Sequence, residues 1–496
     1  MNLLRLPVIA LALGLASPSA ALAETSLWAR MAEEDLAAAY ALIAENHPAA
    51  VPEAGDQAFR ASFRRGYEEA RALAQRATNY NDYRATLQRF AGALGDRHLR
   101  SNALLSSSRF FWPGFLAADG YNGWRIVTRE DENAPPLDSR LLDCDGRNPN
   151  DLAEQRFGQF TPNWSIRAER LMASPRLLLD TGTSSQPRAT SCTFETPAGA
   201  RVTHHLSWRP IGLADASAQL QRASRMPAQD VGLRSFRKGW WVRLGTLNDR
   251  ARPVIDEAQA RRAELRAAPF VVVDLRGNGG GASTYSDRLA KTLYGSDRVQ
   301  RAKTKIAGTD EDLSVWRVSP ANLATLESYV ERFTRELGAN DSVVTGLIAE
   351  RDAMRAALGQ GQALSRSRSP WTDRSSGLSD RVARPPQVIL ITDRFCFSSC
   401  LRATALFRAL GALHVGEETN GGPKHNEIRQ IVLPSGLSDF STMQAYDGLP
   451  GQRLGPYSPA RPFSVSAADD SAVETWVETL PEVSGKHAPG AVPTPR

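Results

Sequence analysis

The chain lacks the features that mark several large protein classes. Past its N-terminus it has no uninterrupted apolar stretch of about 18 residues or more, which excludes a multi-span membrane protein. Cysteine is sparse, with four in 496 residues, too few for a disulfide scaffold. Neither H-E-x-x-H nor C-x-x-C occurs, so no metal site is expected, and His204-His205 reads as a strand pair rather than a ligand set. The phosphate-binding spacing GxxxxGK[ST] is missing too, and no cofactor is implied. Lys plus Arg is 60 against 54 for Asp plus Glu, and the net +6 comes without a long basic run. Spread over this length, that balance does not point to nucleic acid. There is no internal repeat. What remains is ordinary globular composition, 42% hydrophobic and 23% charged. The length predicts about two to four domains at roughly 100–200 residues each.

The N-terminus reads as an export signal. Arg5 supplies a positive start, an apolar run follows from Leu6 to Ala16, and Ser17-Pro18-Ser19 breaks it. Ala21-Leu22-Ala23 fits a signal-peptidase site, so residues 1–23 are the expected leader and Glu24 the expected mature start. The mature chain is then periplasmic or secreted, with no membrane span after cleavage. That compartment is oxidising and allows the cysteines to pair.

Residues 24–105 read as a helical region. Phe59, Phe63 and Tyr67 recur on one helix face, as do Tyr83, Leu87, Phe90 and Leu94. Asn81 is the expected N-cap and Gly95 the expected residue past the helix end. Gly95-Asp96-Arg97-His98 then leaves as a tight loop. Residues 106–225 read as a small β-rich module, with a strand over Ser139–Asp143 and a hairpin through Pro197-Ala198-Gly199. Residues 226–480 alternate strands and helices. Phe270–Leu275 and Gln387–Thr392 are continuous apolar strands, as in a parallel sheet covered on both faces. Residues 300–385 interrupt this core as an insertion with two helices, and Ser365–Pro370 reads as a mobile connection. Residues 481–496 form the expected flexible tail.

Two turns carry the chemistry. Asp274-Leu275-Arg276-Gly277-Asn278-Gly279-Gly280-Gly281 follows the first apolar strand, at the sheet edge where open α/β folds bind ligands. Consecutive glycines let backbone N–H groups face a ligand or an oxyanion. Asp393-Arg394-Phe395-Cys396-Phe397-Ser398-Ser399-Cys400 follows the second strand and opens a helix. A serine in that place is an N-cap in most chains. It is also where a nucleophilic hydroxyl would meet the helix N-terminus.

Together these turns resemble the carboxyl-terminal processing (tail-specific) serine proteases, with features of the tricorn protease core. The resemblance lies in Val272–Gly280, in Phe395–Ser399, in Val415-Gly416-Glu417-Glu418-Thr419-Asn420-Gly421-Gly422 and in Leu94–His98. Leu142–Pro149 is faintly similar to the Asp-Gly turn of the family's PDZ-like domain. The resemblance implies an α/β core of the crotonase/ClpP-like kind, a parallel sheet with helices, beside the N-terminal helical region and a PDZ-like β-rich module. It implies a serine peptidase acting on a peptide or protein substrate through a Ser398 acyl-enzyme. The oxyanion donors would be the Ser399 N–H and an N–H from Gly279 or Gly280.

Subfamilies differ in the base. Lys424 lies 26 positions after Ser398, close to the tail-specific spacing, but a lysine base must be desolvated to be neutral. His98 fits the tricorn-like place and needs little tuning. His425 is a third candidate, and Glu427, Asp439 or Asp447 would orient an imidazole. The family's acidic residue after the nucleophile is replaced by Leu401. Cys396 with Cys400, and Cys144 with Cys192, are the expected pairs. The rival reading is a catalytically silent relative that binds a peptide or apolar ligand in the same cleft. Homo-oligomerisation, common in the family, is left open.

Overall fold

The structure, a computed structural model, describes residues 26–484 apart from 105–109, 121, 185, 308–312, 369–381 and 449–450. The expected leader and its cleavage site lie outside the described residues, as does the tail beyond Ser484. Pro481–Ser484, read as the start of the flexible tail, is a short helix, and Arg461 pairs with Glu482 through two hydrogen bonds to hold it.

Three helices form the head: Leu27–Asn46, Gln57–Ala74 and Tyr80–Ala93. Ser26, Asp56 and Asn79 cap their N-termini by accepting first-turn N–H groups. The cap of the third helix is therefore Asn79 and not Asn81, which sits inside the first turn. The aromatic stripe does the packing. Phe59, Phe63 and Phe90 are buried, and Tyr40 stacks on Phe63 with ring centroids 4.4 Å apart. Phe90 also meets Phe440 at 5.6 Å, which fixes the head to the strand Ser438–Asp447. Gly95 takes φ +68° and turns the chain sharply out of the helix.

The core is a six-stranded sheet. Its order is Arg461–Pro462, Leu413–Gly416, Gln387–Thr392, Phe270–Asp274, Gly239–Leu244 and Val231–Phe236. All neighbours are parallel except the last pair. Alternation splits the two faces. Val271, Val273 and Leu390 pack with the helices Arg252–Ala260, Ser283–Tyr294 and Ser399–Ala409. Val272, Ile389 and Ile391 pack against Val473 and Val477 of the helix Asp470–Glu478. Each such buried Val or Ile contributes roughly 1.5–3 kcal/mol, so this two-sided burial is what holds the sheet edge rigid beneath the two turns.

A second, five-stranded antiparallel sheet joins Ser101–Ala103, Ser438–Asp447, Leu313–Arg317 and Leu364–Arg368, with His425–Val432 also paired to Ser438–Asp447. Two of these strands come from residues 300–385. That segment is thus built into the sheet rather than appended to it, and Ser365–Arg368 is strand rather than a mobile connection. Ser369 and Pro370 lie outside the described residues. The β-rich module is a five-stranded antiparallel sheet flanked by helices that include Pro149–Phe157 and Leu213–Ser224. The disulfide Cys144–Cys192 links register partners on two of its strands. Among the described residues, no helix is long and apolar enough to cross a membrane.

One core residue has a pH consequence. His414 is buried, its Nε2 lies 2.8 Å from the Thr392 hydroxyl, and burial, aided by Arg408, pushes its pKa down to about 4. The unfolded chain therefore binds a proton that the folded one refuses. Stability falls as pH drops from about 6.5 toward about 4, by about 3 kcal/mol if His414 acts alone. Urea unfolding at pH 7 and pH 4.5 should show this fall, and it should be shallower in His414→Gln.

Candidate active site

The strands Phe270–Asp274 and Gln387–Thr392 are parallel neighbours, so the turns that follow them emerge at the same sheet edge. Hydrogen bonds then lock turn to turn. Asp393 Oδ2 accepts the Gly277 N–H at 2.8 Å, Asn278 O accepts the Phe397 N–H at 3.3 Å, and Ser399 Oγ donates to Gly281 O at 2.5 Å. Asn278 Nδ2 reaches Leu244 O at 2.7 Å and ties in a third strand end. Asp274 serves the scaffold. Burial alone would raise its pKa, but the Arg276 and Arg243 guanidiniums hold it below the usual range.

Ser398 stands where the second turn becomes the helix Ser399–Ala409. Its φ is +57° and its ψ −125°, a conformation that L residues rarely adopt. Such strain persists only where the surroundings impose it. Here the disulfide Cys396–Cys400 spans the serine, with Cα atoms 5.3 Å apart. Ser398 occupies the N-cap position, yet its side chain caps nothing. Its hydroxyl lies instead 3.0 Å from His98 Nε2.

His98 comes from the loop after the third head helix. Its Nδ1 lies 2.7 Å from Asp96 Oδ1, and the same oxygen accepts the His98 N–H at 2.9 Å. This is an Asx-turn, in which an aspartate side chain accepts the N–H two residues on. The loop is pinned from outside: Ser441 Oγ donates to His98 O at 2.6 Å and accepts the Arg100 N–H at 3.0 Å. The Phe397 ring packs on the imidazole at 4.7 Å. Asp96 is fully buried, and its other oxygen lies 2.9 Å from His425 Nδ1. Burial pushes the carboxyl up, but His98 and His425 hold it well below the usual range. Asp96 is therefore ionised and only accepts. That places the proton of His98 on Nδ1 and leaves Nε2 with a lone pair toward the serine.

The carboxylate on His98 is thus none of the three offered by sequence. Glu427 accepts from the Tyr329 hydroxyl at 2.8 Å, Asp439 from Asn102 at 2.9 Å, and Asp447 pairs with Arg402 at 2.8 Å. The signal for Asp96 was local, an Asp two residues before a His in a tight loop. His425, a candidate base, reaches Asp96 and not the serine. Lys424 precedes it, partly buried, with its backbone N–H on Gln452 O at 3.0 Å.

The oxyanion side needs one correction. The Gly280 N–H donates to Asn278 Oδ1 at 2.8 Å and is not available to a ligand. Gly280 matters through its missing side chain, since a Cβ there would stand 2.8 Å from Ser398 Cβ. Among the described residues, the N–H groups of Gly279 and Ser399 have no hydrogen-bond acceptor.

His47, Asp96 and His425 are buried with donor atoms within 4.8 Å of one another, a set of the type that holds metal ions. Asp96 is hydrogen-bonded to His425, whereas His47 Nε2 has no hydrogen-bond partner among the described residues. His47 Nδ1 accepts the Ala49 N–H at 3.2 Å, so its proton sits on Nε2, which blocks that atom as a ligand. Both Asp96 oxygens already accept from histidines.

Residues 237–447 match the sequence model of peptidase family S41. Among solved structures, mature CPAF superposes with a TM-score of 0.63 at 14% identity, covering 93% of this chain and 99% of that one. CPAF in complex with lactacystin gives 0.61 at 14% identity, covering 93% and 100%. A CPAF point mutant gives 0.59 at 13% identity, covering 91% and 96%. At these identities the likeness establishes the fold. No curated protein sequence matches the chain.

Proposed function

We propose that this chain, whose residues 237–447 match the model of peptidase family S41, is an exported serine peptidase of that family working through Ser398, His98 and Asp96. One observation carries the reading. The Ser398 hydroxyl, free of capping duty, lies 3.0 Å from an imidazole whose other nitrogen is 2.7 Å from a buried carboxylate. Ser398 Oγ attacks the peptide carbonyl as His98 Nε2 takes its proton. Asp96 stabilises the imidazolium that forms. The tetrahedral oxyanion accepts from the Ser399 and Gly279 N–H groups, and each such donor is worth roughly 10²–10³-fold in rate. The imidazolium then protonates the leaving amine. A water, deprotonated by the same nitrogen, hydrolyses the acyl-enzyme.

The remaining parts of the proposal rest on sequence. The leader at 1–23 directs export, and the two disulfides suit an oxidising periplasm or exterior. The core is of the crotonase/ClpP-like kind, and the β-rich module is a PDZ-like recogniser of substrate ends.

The test is labelling by a fluorophosphonate, read by mass spectrometry, on wild type, His98→Ala and Lys424→Ala. Rapid modification of Ser398 in wild type and Lys424→Ala, lost in His98→Ala, is the expected pattern. Loss in Lys424→Ala alone would make the lysine the base. A folded wild type that never labels favours the silent, ligand-binding relative.

A further inference from the structure

A cavity of about 510 Å³ opens between the head helices, the β-rich module and the strand segment that follows His98. Its wall carries five arginines, Arg84, Arg97, Arg100, Arg156 and Arg176, against one carboxylate, Glu169. That carboxylate is already engaged, at 3.4 Å from Arg97. Arg156 is held by the carbonyls of Leu177 and Leu179, and the carboxylate near it, Asp180, is paired with Arg188. Among the described residues, neither Arg100 nor Arg176 forms an ion pair. The guanidinium of Arg176 lies over the Phe157 ring at 5.6 Å, and that of Arg97 over the Phe397 ring at 5.3 Å. A recess lined by one sign of charge focuses the field and concentrates anions. The guanidinium fork matches a carboxylate in particular.

The cavity also has a fixed relation to the chemistry. Arg97 and Arg100 bracket His98 in the chain, and Phe397 precedes the nucleophile. In the serine-peptidase reading, on which this inference rests, His98 hands its proton to the leaving amine. The part of the substrate after the scissile bond therefore departs on the His98 side, toward the arginines. We propose that this cavity binds acidic side chains of the substrate within the first few residues after the scissile bond, so that the enzyme prefers acidic leaving segments.

The test uses peptides with amidated C-termini that differ only in having Glu, Ala or Lys at the three positions after the cleavage site. Two readouts are taken: kcat/KM on the wild type, and affinity for the unreactive Ser398→Ala by fluorescence anisotropy. The Glu peptide should exceed the Lys peptide by roughly tenfold or more in both. In Arg176→Glu that ratio should collapse or invert, and in the milder Arg176→Gln and Arg100→Gln it should shrink. Equal affinity for the Glu and Lys peptides overturns the inference, and so does a preference that all three variants retain. The same peptides with free C-termini are run alongside, and a preference seen only with them also overturns it, because the arginines would then read the chain end. Failure of the peptidase reading looks different: Ser398 would not label and no peptide would be cut, whatever its charge.

Discussion

Asp96→Asn is expected to lower kcat/KM by about 10⁴-fold while leaving the protein folded. The carboxylate has two duties that an amide cannot perform together. One oxygen fixes the Nδ1–H tautomer of His98, and the ionised group stabilises the imidazolium in the transition state. Asparagine is neutral in either orientation, so the second duty is lost. If its NH₂ faces His98, the first is lost too, because Nε2 then carries the proton and cannot accept one from Ser398. The size of Asn matches the buried site, and with its oxygen toward His98 it still accepts the His98 N–H of the Asx-turn, so melting should change little. His425 separates the parts. It bonds only the far oxygen of Asp96, at 2.9 Å. His425→Phe should therefore slow the fluorophosphonate reaction far less than Asp96→Asn, by about tenfold, the worth of one hydrogen bond in positioning. An Asp96→Asn enzyme with wild-type kcat/KM would remove Asp96 from the mechanism.

The sequence exposed those parts of the site that local pattern controls. Four consecutive apolar residues at Phe270–Val273 admit little but a strand covered on both faces, and the glycines that follow the strand must be a turn. With a second such strand at Gln387–Thr392, parallel alternation places the two turns at one sheet edge. What stayed hidden depended on distant partners. The strand Leu364–Arg368 is rich in serine and arginine, and its place in the second sheet comes from pairing with Leu313–Arg317, itself paired to Ser438–Asp447. No local periodicity encodes that register. Likewise, nothing in the composition of the helix Arg262–Ala267 marks its break from Arg252–Ala260 at Arg261. The orienting carboxylate was missed for the opposite reason. The third residue of such a triad is commonly distant in sequence from the histidine it orients. An aspartate two positions away can fill that role only because the Asx-turn folds its side chain back over its own loop.

Gly280→Ala is the second large effect, and its neighbours make it diagnostic. A Cβ at Gly280 would lie 2.8 Å from Ser398 Cβ, 3.1 Å from Phe397 O and 3.2 Å from Ser399 N, with φ at +113°. The clash is with the nucleophile and the oxyanion donor themselves. A displacement on the order of 1 Å at a reacting group costs about 10²-fold in rate, and the unfavourable φ removes about 1–3 kcal/mol of stability. Gly281→Ala should behave differently. Its Cβ would meet the backbone oxygen of Leu247, and φ is +132°. That oxygen also accepts the Ala282 N–H at 2.8 Å, so the chain cannot give way without breaking the join between two strand ends. Folded yield should fall before any rate is measured. Gly279→Ala is the control, because a Cβ there meets nothing within 4 Å, and its Tm should match wild type. Melting curves and fluorophosphonate labelling rates for the three variants sort the run by function. Labelling lost out of proportion to Tm in Gly280→Ala alone would mean that this glycine exists to let the serine and its N–H donor stand where they do. A parallel loss of Tm and labelling in all three would reduce the run to a tight turn.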